Sequence, residues 1–238
     1  MRKLSIIMAL LFLSAGLWAR PLTLADLRSA TRRYIDDNNA DSYHFSNDVI
    51  DLFLNIAQNE IAGLTFCLEG TTTYAINYAQ REYILPNKFF TAQRVTLNGY
   101  LLAQRDIPAL DNDTSWEVIR TTAVPSYYYI KHTTYSVIGF DVPPSTSTRN
   151  TINLTYVKIP EVLTNDSDVP FDGYPRLQIY HNLVSLLASA HLCWQDRRPD
   201  EGDRYHKIYG VMVEEMSKTI RLTPNFYPNV GIGKGYFK

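Results

Sequence analysis

The sequence predicts an α+β fold: a helical bundle with two N-terminal and two C-terminal helices, an inserted β-sandwich or small β-barrel, and an extended C-terminal tail. Three observations carry this. Apolar residues recur with helical period before residue 63 and again after residue 174. Between them, short runs rich in Thr, Tyr, Val and Ile stand between turn signals. Residues 222–238 follow neither period.

The first helix is expected over 23–36. Thr23 stands where a cap is needed, Asp26 follows three residues later, and Leu24, Leu27, Ala30 and Tyr34 keep helical spacing. Asp36 to Asp41 form a polar break. Ser46 then offers a second cap, before Val49, Ile50, Phe53, Leu54, Ala57 and Ile61 mark one face of a helix ending at Gly63. The β-rich block, 64–160, contains Thr71–Ile76, Glu82–Leu85 ahead of Pro86, and the pair Arg94–Leu97 and Tyr100–Leu102 around Asn98-Gly99, a strong hairpin signal. Further strands are expected at Ser126–Ile130, Ser136–Phe140 and Thr151–Val157, with Pro143-Pro144 as a turn.

After a connecting loop over 161–173 the helical period returns through Leu177, Tyr180, Leu183, Val184, Leu187 and Ala190, to about Trp194. Pro199, Asp200 and Glu201 open a fourth helix, with negative charge at the positive end of the helix dipole. Its expected core face is Tyr205, Ile208, Tyr209, Met212, Met216 and Ile220. The tail holds two prolines, three glycines and the aromatic residues Phe226, Tyr227, Tyr236 and Phe237. It is read either as a docking arm or as a frayed end.

The first 20 residues have the layout of a secretory leader. Arg2 and Lys3 are basic, Leu4–Leu17 is apolar or small, and cleavage could follow Ala19. Leu17 departs from the small residue expected two positions earlier, so an uncleaved leader or a mis-chosen start is the other reading. The apolar run is short for a bilayer span, and no membrane is expected for the mature form.

Composition narrows the function. Apolar residues at 45% allow a packed core, and a net charge of -1 gives no general reason to bind nucleic acid or an anionic surface. Seventeen tyrosines suit half-buried sheets and protein interfaces. Cys67 and Cys193 make neither a zinc pattern nor a redox motif, and are read as two unconnected buried thiols, with pairing in an oxidising compartment as the other reading.

No catalytic set rises above background. His44, His132, His181, His191 and His206 lack the spacing that aims two imidazoles at one metal. A Cys67–His132 pairing would be a chance one. Glu69, Glu82 and Asp141 could line one side of the β block as a glycosidase pair would, without a spacing that supports it. Glu214-Glu215 reads as a solvated face. Gly231–Gly235 looks phosphate-friendly but follows no strand and precedes no helix. Asn-x-Ser/Thr triplets begin at Asn112, Asn153 and Asn165, and the one at Asn153, inside an expected strand, reads as chance. No catalytic, metal or cofactor residue is therefore expected.

A string of motifs nonetheless runs through the chain. It opens on Leu22-Thr23-Leu24-Ala25-Asp26-Leu27-Arg28 and continues in Phe45–Ala62 (FSNDVIDLFLNIAQNEIA). Ala79–Pro86 (AQREYILP) follows, then Arg94-Val95, Asn98-Gly99, Val124–Tyr129 (VPSYYY), Ile138-Gly139-Phe140 and Leu163–Pro170 (LTNDSDVP). Over about 22–220 this resembles the phage head–tail adaptor, or connector, proteins of short-tailed and related phages.

The resemblance implies a non-catalytic virion protein at the capsid–tail junction. Copies would form a ring, commonly a dodecamer, between the portal protein and the tail (nozzle or tube) protein, and DNA would pass through without sequence-specific contact. In that picture the tail, with Phe226, Tyr227, Tyr236 and Phe237, docks into the portal. Relatives usually begin at the first helix, so the leader is a departure. The alternatives are a secreted binding module presenting the tyrosine-rich β block and, more remotely, an exported hydrolase.

Overall fold

The computed structural model describes residues 20–39, 43–112, 122–145 and 151–221. The leader, the Gly231–Gly235 run and the docking-tail residues Phe226, Tyr227, Tyr236 and Phe237 lie outside the described residues. The chain divides into a helical unit, through Thr65 and again from Pro160 to Ile220, and a β unit over Phe66–Ile159. No helix among the described residues is long and apolar enough to cross a membrane.

The helical unit is built from α1 (Leu24–Tyr34), α2 (Asn47–Thr65), α4 (His181–Gln195) and α5 (Pro199–Arg221). Thr23 and Asp26 form the expected capping box: the Thr23 hydroxyl accepts from the Asp26 amide, and the Asp26 carboxylate accepts from the Thr23 amide. Helices α1 and α4 end alike. Asp36 (φ 59) and Arg197 (φ 58) adopt the left-handed conformation, and the next amide returns to the third-last carbonyl, Asp37 to Arg32 and Arg198 to Cys193.

Three expectations change here. Helix α2 does not stop at Gly63 but runs to Thr65, whose hydroxyl donates to Ile61 O, and the left-handed residue that follows is Phe66. The third helix begins as a tight 3-10 stretch, Pro175–Tyr180, before α4. On α5 the buried line is Tyr205, Tyr209, Val213 and Met216; Ile208 is exposed, because it lies to one side of that line.

The core of the helical unit is apolar on all sides of α4. Leu183, Val184, Leu186, Leu187, Ala190 and Leu192 are buried, and Ser185 and Ser189 satisfy their hydroxyls on Leu27 O and Ser185 O. A helix apolar all round belongs in the middle of a bundle.

The β unit has two four-stranded sheets and no closed barrel. One has the order β1 (Glu69–Ala75), β8 (Thr151–Lys158), β3 (Phe89–Leu97), β4 (Tyr100–Leu101). The other has β2 (Glu82–Ile84), β7 (Ser136–Phe140), β6 (Tyr127–His132), β5 (Ala103–Gln104). Residues of both sheets share one core, including Tyr83, Val95, Leu97, Tyr128, Ile138, Phe140, Ile152 and Leu154, so the block is a sandwich. Asn98 (φ 50) and Gly99 (φ 86) make the β3–β4 hairpin turn with both central residues in the left-handed region. The short β5, parallel to β6, and the single-turn helix α3 (Ile107–Asp111) are additions to the sequence reading.

Candidate assembly site

Several polar side chains quoted in the motif string tie parts of the helical unit together. Asn55 and Gln58 stand one turn apart on α2 and face the segment that enters the unit from the β block. Asn55 donates to Leu163 O (3.0 Å) and accepts from Leu163 N (2.8 Å). Gln58 donates to Glu161 O and accepts from Phe171 N, both at 2.8 Å. Two amide side chains thus satisfy four backbone groups of the segment between β8 and α4, which is what a buried connection requires.

The Leu163–Pro170 motif holds its own shape. The Asp168 carboxylate accepts from the Thr164 and Asn165 amides at 2.8 Å each, and these bonds hold its pKa below the usual carboxylate range. The same loop returns Asp168 O to Leu24 N (2.8 Å) and Asp166 O to Ala25 N (3.2 Å). The loop therefore fills two of the amides that the start of α1 leaves without helical partners. Arg28 closes the arrangement: it grips Asp51 of α2 bidentately (2.5 and 2.7 Å) and also bonds Asp166.

The polar break between α1 and α2 is a buried ionic knot. Arg32 and Asp37 side chains are each 7% exposed and 2.6 Å apart. Arg32 also donates to Phe45 O and Asn47 Oδ1 and lies over the Tyr43 ring at 3.6 Å. Asp37 accepts from the His44 and Phe45 amides. With its hydrogen bonds satisfied such a pair is tolerated, whereas removing one partner strands the other, at about 3–5 kcal/mol.

The titratable residues considered for chemistry take structural positions. His181 is fully buried, its Nδ1 accepts from Leu22 N (3.2 Å), and burial pushes its pKa down to about 4. His191 stacks on Phe53 and lies 3.6 Å from Glu60, His44 pairs with Asp196, and His206 packs between Trp194 and Tyr209. His132 bonds Ser136 across β6–β7. Among the described residues no three His, Cys, Asp or Glu side chains gather as metal ligands. Cys193 is a buried thiol, raised in pKa by that burial, and Cys67 is half-buried.

The three β-block carboxylates do not form a pair across a cleft. Glu69 opens β1 in one sheet, whereas Glu82 and Asp141 belong to the other. Glu82 accepts the Tyr129 hydroxyl at 2.7 Å, and Asp141 accepts the amides of Ser126 and Tyr127. Glu214 and Glu215 are exposed and share Lys218. Asn153 sits within β8 and receives the Thr73 hydroxyl.

Two exposed apolar lines stand among the described residues of the helical unit, and of their members only Ile208 belongs to the core face that periodicity predicts. One is Leu52 and Ile56 on α2; the other is Ile208 and Val211 on α5.

Comparison with known proteins agrees with an assembly role. None of the curated proteins compared with the chain matches it. A family model described as SU10 adaptor protein matches residues 22–210, from the capping-box segment of α1 to the middle of α5 and across the whole β unit. With that match over most of its length, the chain belongs to the SU10 adaptor protein family and is a phage structural adaptor protein of the virion.

Proposed function

We propose that this chain is a non-catalytic head–tail adaptor whose copies form a ring, a dodecamer, between the portal and the tail of a phage particle and continue the DNA channel. The observation that carries the reading is the family match over 22–210, which contains every motif of the connector-like string up to that point. Two further features fit it. His181 and Asp141, two of the groups considered for chemistry, hold backbone amides, and the net charge of -1 lets DNA pass without a general electrostatic grip. In this reading the C-terminal segment, with Phe226, Tyr227, Tyr236 and Phe237, docks into the portal.

The test is reconstitution with portal rings followed by electron microscopy. Full-length chain is expected to add one layer of density with the rotational symmetry of the portal. A chain ending at Arg221 is expected to keep its helical circular dichroism and to lose portal binding. Portal rings that stay bare when mixed with the full-length chain would overturn the reading.

A further inference from the structure

We propose that α2 and α5 carry the two unlike halves of the contact between neighbouring copies of this chain. This rests on the ring reading above. A closed ring of more than two identical subunits is built on a head-to-tail contact, so each copy must present two different, mutually complementary patches. The helical unit presents two.

The first lies on α2. Its inner face, Ile50, Leu54, Ala57 and Ile61, is fully buried. On another side of the same helix Val49, Leu52 and Ile56 follow one another at intervals of three and four residues, with Leu52 57% and Ile56 40% exposed. A surface helix ordinarily turns polar side chains to water there. Spacing of this kind forms a ridge that another helix can pack against.

The second lies on α5. Arg204, Ile208, Val211 and Glu215 make a single line at intervals of four, three and four, apart from the buried line of Tyr205, Tyr209, Val213 and Met216. Ile208 is 46% and Val211 67% exposed.

Charge selects the pairing. The α2 line is bordered by Asp48, one turn before Leu52, and by Glu60. The α5 line is bordered by Arg204, one turn before Ile208, and by Lys207, while the acid at its other end, Glu215, is already paired with Lys218. Among the described residues Asp48 has no cationic partner, and neither Arg204 nor Lys207 has a carboxylate partner. A contact of α2 with α2 would gather the acids Asp48 and Glu60 around a shared apolar line, which like-charge repulsion opposes. A contact of α2 with the α5 of a second copy covers both apolar lines and gives Asp48 a basic counterpart. The occupant of each patch is therefore the other patch on the next copy.

The experiment uses full-length Leu52→Asp and Val211→Asp chains on portal rings, with native mass spectrometry and electron microscopy as readouts. Both substitutions are at exposed positions, and unchanged thermal melting checks that each variant folds. Wild-type chain is expected to form the ring, and each variant alone to need at least tenfold higher concentration for it. An equimolar mixture is expected to give pairs that do not grow, since one variant keeps an intact α5 line and the other an intact α2 line. Asp48→Arg is expected to weaken assembly and the added change Arg204→Asp to restore it.

If the wild type forms a ring and both variants form it equally well, the assignment of the contact is overturned while the ring reading stands. If both variants block assembly but their mixture gives no pairs, the head-to-tail pairing is overturned. Wild-type chain that forms no ring on the portal removes the ring reading and this inference together.

Discussion

Tyr129 reaches across Gly139 to donate its hydroxyl to Glu82 Oε1 at 2.7 Å. The register explains how. Gly139 on β7 is paired with Tyr129 on one side and with Glu82 on the other, so the three stand in a row on one face of the sheet. The missing side chain in the middle is the path of the ring: a Cβ on Gly139 would lie 2.1 Å from Tyr129 Cζ. On that same face Leu110 of α3 packs on Tyr129. The other sheet repeats the device, with Tyr156 lying over its paired partner Gly70.

Gly139→Ala is therefore expected to destabilise the β unit by about 1–3 kcal/mol, because the Tyr129 ring must leave its place. Tyr129→Phe is expected to cost less, about 1 kcal/mol, since the ring keeps its place and the hydrogen bond to the exposed Glu82 is what goes. Urea denaturation followed by tyrosine fluorescence measures both. Equal losses for the two substitutions would contradict the close approach.

Asn55→Ala removes the side chain that satisfies both backbone groups of Leu163. A loss of about 1–3 kcal/mol is expected from stranding those groups. The local effect is more specific than the global one. Amide exchange at Leu163 and its neighbours is expected to rise well above that of α4, whereas substitution of the exposed Asn59 on the same helix leaves exchange unchanged. Uniform exchange across the unit would show that Asn55 does not hold this segment.

His181 makes stability depend on pH in a defined window. Its ordinary pKa is 6.5, and burial in the folded protein brings it down to about 4. Between those values the unfolded chain binds a proton that the folded chain refuses, so unfolding is favoured as pH falls from 6.5 toward 4. The contribution is fully present above 6.5 and is lost by about pH 4. Melting temperatures measured from pH 7 to 4 are expected to fall less steeply for His181→Gln than for wild type. Parallel curves would mean that His181 titrates normally in the fold.

Much of this architecture could be read from residue order. The period change at the start of the β block, the Thr23–Asp26 box and the Asn98-Gly99 turn depend on neighbours a few residues apart, and the structure places all three where local chemistry puts them. The motif string also pointed to the adaptor family through the order of its segments. Local pattern misled where burial depends on distant partners. Ile208 fits an apolar stripe as well as Tyr209 does, yet only Tyr209 meets the core. Asp37 looks like one more acid in a polar break and is buried because Arg32 lies within reach.

What the sequence determined by itself was the order of the long helices and main strands, and the family, because helix and strand periods, caps and turns are short-range properties. What only the tertiary structure decided was the use of the polar residues. Asn55 and Gln58 bind a segment more than a hundred residues away, and Glu82 meets Tyr129 across a strand that contributes only a glycine. Hydrogen bonds of that kind depend on where the chain returns in space, a long-range outcome of packing that no local spacing records.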